Sequence, residues 1–184
     1  MPIQSGTHAI GPNNGTLTLK TYKEGAGGAL GHNLVLQASR WSGTANIDSA
    51  NPSASSVTLN VEPGSLEVME GSGGMKPLSD KDRNDIKKNI FEKVLNTSRH
   101  PQITFQSTSV SGYDPQYSVQ GNLTIMGSTQ PVTVAISAGS DGTVTGDATV
   151  VQSRHGIKPF SAMLGALKVK DAVDMHIEVH LPTE

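Results

Sequence analysis

A chain of 184 residues with a formal net charge of −2, its lysines and arginines scattered, has no basic stripe of the kind that tracks a phosphate backbone, so nucleic acid is excluded as an expected partner. The absence of cysteine removes disulfides, cysteine-bearing zinc sites and thiol catalysis. The length is that of one domain, expected over residues 1–184, and an apolar share of 35% together with 20 glycines is enough for a folded core.

Met1-Pro2-Ile3-Gln4-Ser5 starts no charged-then-apolar leader, and no apolar run approaches the ~18 residues of a membrane span. The expected product is soluble and cytoplasmic, or periplasmic or exported if a leader preceded these residues. After the turn-like Pro12-Asn13-Asn14-Gly15, residues 16–22 alternate Leu17 and Leu19 with threonines and Lys20, a first strand. The glycine cluster 25–31 comes nearest to a dinucleotide fingerprint but has Leu30 where the third glycine belongs, and the residues after it form a strand pattern where that fingerprint needs a helix. It is expected to be a rim loop. In 32–45, Leu34, Leu36 and Ala38 share one face, and Trp41 then falls on the wrong parity, which a bulge near Arg40 would repair. Val57, Leu59 and Val61 continue the alternation, and Pro63-Gly64 turns into 65–69.

Residues 79–95 hold the one convincing helix. Ser79 is its expected N-cap, with Asp80 and Asp82 placing negative charge on the first turn. Ile86, Ile90 and Val94, flanked by Phe91 and Leu95, form a face for burial. Pro101 ends the helical stretch, and strands resume at Ile103 and Phe105, then at Tyr117 to Ile125, Val132 to Ile136, Val144 to Val150 and Val173 to Leu181. Eight or more half-apolar strands with short connections and one covering helix suit an antiparallel meander closed into a barrel or folded as a sandwich.

Histidines are the main enzymatic feature. His176, Glu178 and His180 recur every second residue, so one strand face carries two imidazoles and a carboxylate. Same-face neighbours lie ~7 Å apart, too far for one ion to reach all three without help from another strand. A solvated polar face explains them better than a metal site does. No Gly-x-Ser-x-Gly elbow and no Ser, His and Asp set stands out.

Three blocks carry a resemblance: His100-Pro101-Gln102-Ile103-Thr104-Phe105, then Gln120-Gly121-Asn122-Leu123-Thr124-Ile125-Met126-Gly127, and near the end Leu164-Gly165-Ala166-Leu167-Lys168-Val169-Lys170-Asp171. Together with Gly31-His32, the chain resembles the YceI-like family over roughly residues 16–181. The resemblance implies a mainly β fold, an antiparallel eight-stranded lipocalin-like barrel with one amphipathic helix, whose interior cavity binds a polyisoprenoid lipid or an isoprenoid quinone. The implied role is non-enzymatic storage or transfer of this amphiphilic lipid, with no cofactor. Transient membrane contact and pairing into a homodimer are the other expected partnerships. Many family members carry Arg-Asp-x-His where this chain has Lys81-Asp82-Arg83-Asn84, and aromatic residues are only 4%, which suits recognition of a tail better than of a ring.

Positions expected to line the cavity or its mouth are His32, Leu34, Leu36, Trp41, Phe105, Leu123, Ile125, Phe160 and Leu164. Arg40, Arg154 and His155 join His32 as polar candidates for the mouth. For Trp41, Phe105, Phe160 and Leu164 ordinary core is the favoured alternative, whereas Leu123 and Ile125 would line a ligand as readily as fill a core. The rival functions are a metal-dependent enzyme using His176, Glu178 and His180, and an interaction scaffold with a packed barrel.

Overall fold

The computed structural model describes residues 2–184; Met1, the first residue of the stretch considered as a leader, lies outside them. The strands are β1 (Gly6–Ile10), β2 (Gly15–Thr21), β3 (Lys23–Glu24), β4 (Asn33–Ala38), β5 (Trp41–Ile47), β6 (Ser56–Val61), β7 (Leu66–Ser72), β8 (Ile103–Tyr113), β9 (Gln116–Ile125), β10 (Ser128–Ala138), β11 (Thr143–Val151), β12 (Ser161–Ala162), β13 (Leu167–Val169) and β14 (Ala172–His180). One helix, α1 (Asp80–Asn89), runs into a π-helical turn at Ile90–Val94. No helix among the described residues is long and apolar enough to cross a membrane.

Eleven strands form one curled antiparallel sheet in the order β1-β5-β6-β8-β9-β10-β11-β14-β2-β4-β7, and β12, β13 and β3 form a small second sheet. This corrects the expected count of eight, and the sheet does not close, because its end strands β1 and β7 share no ladder. The extra strands arise where continuous runs break. Residues 11–14 separate β1 from β2, Ser39 and Arg40 separate β4 from β5, and 62–65 separate β6 from β7. β1, with a single buried apolar residue at its end, has too little alternation to be legible in the sequence. The break at Ser39 and Arg40 falls where Trp41 required a change of parity, although it ends one strand and begins another instead of bulging within one.

The corner between these breaks is held by Ser65, 2% exposed. Its Oγ donates to the Glu62 carbonyl at 2.7 Å and accepts from the Arg40 backbone N–H at 2.9 Å. Ser65→Ala strands the Arg40 donor, and is expected to lower unfolding free energy by about 1–3 kcal/mol, measurable as a fall in urea midpoint at unchanged m.

The helix lies over the end strand β7, whose outer edge has no strand partner. Arg83 Nη1 donates to the carbonyls of Val68 at 2.6 Å and Met69 at 3.1 Å, so the helix satisfies backbone groups that an open edge would leave free. Ser79 caps the helix as expected, in a reciprocal box with Asp82: Ser79 Oγ accepts from the Asp82 N–H at 3.1 Å, and the Ser79 N–H donates to Asp82 Oδ2 at 2.9 Å. The backbone and side-chain hydrogen bonds from Ser79 hold the Asp82 carboxyl below its ordinary pKa. Asp141 is lowered by the Thr143 backbone and hydroxyl, and Asp171 by the hydroxyl and backbone of Ser153.

A pKa lower in the folded chain means stabilisation fully present above the ordinary carboxylate value near pH 4 and lost as pH falls through the lowered values. Urea midpoints should therefore drop on going from about pH 6 to about pH 3, and Asp82→Asn should show a smaller drop than wild type.

Candidate functional site

Alternation along the strands gives the sheet an apolar concave face, and curling turns that face onto itself. The result is a cavity of about 1120 Å³. It is bounded by the concave face of the main sheet, by Ile86, Ile90, Val94 and Leu95 from the helical segment, and by loops at either end. On β9 the lining runs from Tyr117 to Ile125, roughly 26 Å at ~3.3 Å per residue, so the cavity is long.

Two local devices keep the wall apolar and smooth. Thr108 is the extra residue where the β8–β9 register shifts, so Ile103 and Phe105 before it and Val110 after it all face inward. At Gly121 an added Cβ would stand 2.4 Å from Phe105 Cζ, so the absence of a side chain there lets the ring lie against the wall.

Polar groups gather at the ends. At the end where β2 and β7 finish and the helix begins, Lys23, His32, Lys76, Asp82, Asp85 and Lys168 border the cavity. His32 Nε2 is 2.6 Å from the Lys76 carbonyl, and Lys23 Nζ donates to the Gly73 carbonyl, which tie the 71–78 loop to the rim. At the opposite end the border includes Asp48, Ser49, Ser55 and Asp114.

Of the expected positions, His32, Leu34, Leu36, Phe105, Leu123, Ile125 and Phe160 border this cavity. Trp41 and Leu164 do not. Trp41, 5% exposed, shares the inward face of β5 but is packed in the core beside the strand breaks, in one buried cluster with Leu36, Ala38, Leu66 and Val68. Leu164 is fully exposed, since the left-handed turn at Met163 and Leu164 swings it away from the wall. The other polar candidates for the mouth lie away from the cavity. Arg40 pairs with Glu62 at 2.5 Å on the outside, buried His155 places Nδ1 3.0 Å from the Ser128 carbonyl, and Arg154 borders a separate shallow polar groove. The rim lysines Lys23, Lys76 and Lys168 carry no signal in the sequence, because nothing in their spacing says that three distant segments meet.

His176, Glu178 and His180 project from the outer face of β14. His176 Nδ1 lies 2.7 Å from Asp147 Oδ1 on β11, while His180 lies 3.7 Å from Glu178 and 3.2 Å from Thr143 Oγ1. No three His, Asp or Glu side chains among the described residues are grouped to hold a metal ion.

The cavity-forming sequence matches the YceI-like domain over residues 13–181. The chain belongs to the YceI-like family. Relatives include the UPF0312 protein ECA1782 of Pectobacterium atrosepticum, 34% identical over 49% of this chain and 41% of the relative, and Protein YceI of Salmonella arizonae, 32% identical over 50% and 42%. The match thus spans about two fifths of these YceI-like relatives' own length. Among solved structures, Burkholderia cenocepacia BcnA superposes with a TM-score of 0.64 at 18% identity, over 90% of this chain and 94% of that one. A polyisoprenoid binding domain from Saccharophagus degradans superposes with a TM-score of 0.62 at 9% identity, over 97% and 100%. At these identities the likeness is one of fold.

Proposed function

We propose that this chain is a non-enzymatic binding protein for a long-chain isoprenoid lipid or isoprenoid quinone, which it stores or transfers within the cavity. One observation carries the reading: the apolar faces of successive strands and of the helix enclose a common space of about 1120 Å³ instead of filling it. At ~30 Å³ per non-hydrogen atom that is room for on the order of 35 atoms, a long chain and not a small metabolite. Burying ~10 carbons of such a chain contributes roughly 8 kcal/mol before ordering costs, so apolar contact alone can retain it. Few aromatic residues border the cavity, with Phe105, Tyr117 and Phe160 the rings present, which favours recognition of the tail over the ring. The likeness to a polyisoprenoid binding domain supports the same class of cargo.

On this reading the interrupted runs β1–β2, β4–β5 and β6–β7 each act as one stave. Both halves of the first run pair with the second, and both halves of the second pair with the third. With β8, β9, β10, β11 and β14 this makes eight staves curled around the cavity, a lipocalin-like arrangement in which the end strands β1 and β7 share no ladder.

The test is mass spectrometry of the untreated protein, native and after organic extraction against an extraction blank, followed by uptake of isoprenoid quinones and polyprenyl lipids from vesicles. A stoichiometric isoprenoid is expected. A clean protein that also takes up none would overturn the reading.

A further inference from the structure

The finger formed by β12 and β13 presents its most apolar residues to water. At its tip Leu164 is 110% exposed and Met163 62% exposed, with φ of 56° and 54°, ahead of Gly165 at 86°. Left-handed backbone at bulky residues is uncommon, and a turn holding two in succession with both side chains outside gains no burial within this chain.

The finger stands at the cavity mouth. Phe160, Leu167 and Val169 border the cavity, and the Val169 N–H donates to the Phe160 carbonyl at 2.9 Å. The Gly27 N–H donates to the Ala166 carbonyl at 2.8 Å, which sets Leu30, 52% exposed, beside the finger. Met75, 76% exposed, borders the same end on the loop tied to His32. Four exposed apolar side chains from three segments thus surround one opening.

Charge selects the partner. Residues 158–170 contain Lys158, Lys168 and Lys170 and no acidic residue, in a chain of net charge −2. Glu24 faces Lys168 across the β3–β13 ladder, and Asp82 and Asp85 border the cavity from α1, whereas exposed Lys158 and Lys170 make no salt bridge among the described residues. Apolar tips flanked by lysines match the interface of a bilayer carrying anionic headgroups.

We propose that the Met163–Leu164 tip, with Leu30 and Met75, inserts into the surface of an anionic phospholipid bilayer, so that cargo passes between membrane and cavity through this mouth. The inference rests on the cargo reading, but its test separates the two. The full chain is floated with vesicles of phosphatidylcholine alone or of equimolar phosphatidylcholine and phosphatidylglycerol, and cargo uptake is measured separately from detergent micelles.

Wild type should float with the anionic vesicles and lose this on adding salt. Met163→Asp with Leu164→Asp should lower flotation about tenfold or more. The same double variant should take up an isoprenoid quinone from micelles as wild type does, since neither side chain borders the cavity. Tyr113→Asp, which removes an 82% exposed ring at the opposite end, should float as wild type does. Lys158→Glu with Lys170→Glu should weaken binding to anionic vesicles and leave micelle uptake intact. Equal flotation of wild type and the tip variant overturns the docking proposal, as does a tip variant whose only change is loss of self-association, which would make a second copy of this chain the occupant. Normal docking with no uptake from micelles or vesicles overturns the cargo reading instead.

Discussion

Ala148→Trp is expected to weaken cargo binding about a hundredfold or more while leaving a folded protein. Ala148 borders the cavity from β11, so the indole is directed into free volume. Each displaced CH₂ forfeits ~0.8 kcal/mol, so excluding even four carbons of a tail removes ~3 kcal/mol and weakens binding about a hundredfold. Because the lumen has room, the overpacking penalty should stay at or below about 1–3 kcal/mol. Titration with an isoprenoid quinone reads the affinity, and far-UV circular dichroism reads the fold. Thr149→Trp, the outward neighbour on the same strand, should bind as wild type does. If Ala148→Trp retained full affinity, the cavity between the sheet and the helix would not be where cargo binds.

Trp41→Ala should be among the most destabilising single changes in the chain. Trp41 pairs in register with Val61, and the Glu62 N–H donates to the Arg40 carbonyl at 3.1 Å, so the ring fills the core beside the joints of the interrupted runs. Removing a buried ring of this size costs about 3–5 kcal/mol, a large share of the 5–15 kcal/mol total stability of a typical domain. Trp41 Nε1 has no hydrogen-bond partner among the described residues. Trp41→Phe therefore removes an unpaired donor worth about 1–3 kcal/mol as well as some packing, and the two effects oppose. Its unfolding free energy should stay close to wild type. Urea unfolding followed by circular dichroism checks both variants, since Trp41 is the only tryptophan and its fluorescence is lost in each. A Trp41→Phe loss as large as that of Trp41→Ala would show that ring shape, and not the mere presence of an apolar ring, governs the corner.

Much of the wall is legible because a strand has period two. Leu34 and Leu36, Phe105, and Leu123 and Ile125 belong to one-sided sets in the sequence, and each borders the cavity. The N-cap is legible because Ser79 stands just before the acidic first turn of Asp80 and Asp82, and the burial face of the helix because Ile86, Ile90 and Val94 recur at four, whereas the reciprocal Ser79–Asp82 box appears only in the structure. Local periodicity fails where the chain changes parity or leaves regular structure. Trp41 shares the inward face of its own strand yet lies in packed core, and Leu164 belongs to an apolar stretch whose left-handed turn points it into water.

The sequence by itself determined which faces are apolar, where the helix starts and which family the chain resembles, since each is carried by spacing within a few residues or by short contiguous blocks. Only the tertiary structure decided that the apolar faces enclose space instead of filling it, that three runs break into separate strands, and that the 23–32, 71–78 and 158–170 segments meet at one mouth. Those outcomes depend on how a sheet curls and where its ladders shift, and on contacts between residues more than a hundred positions apart, such as the Gly27 hydrogen bond to Ala166.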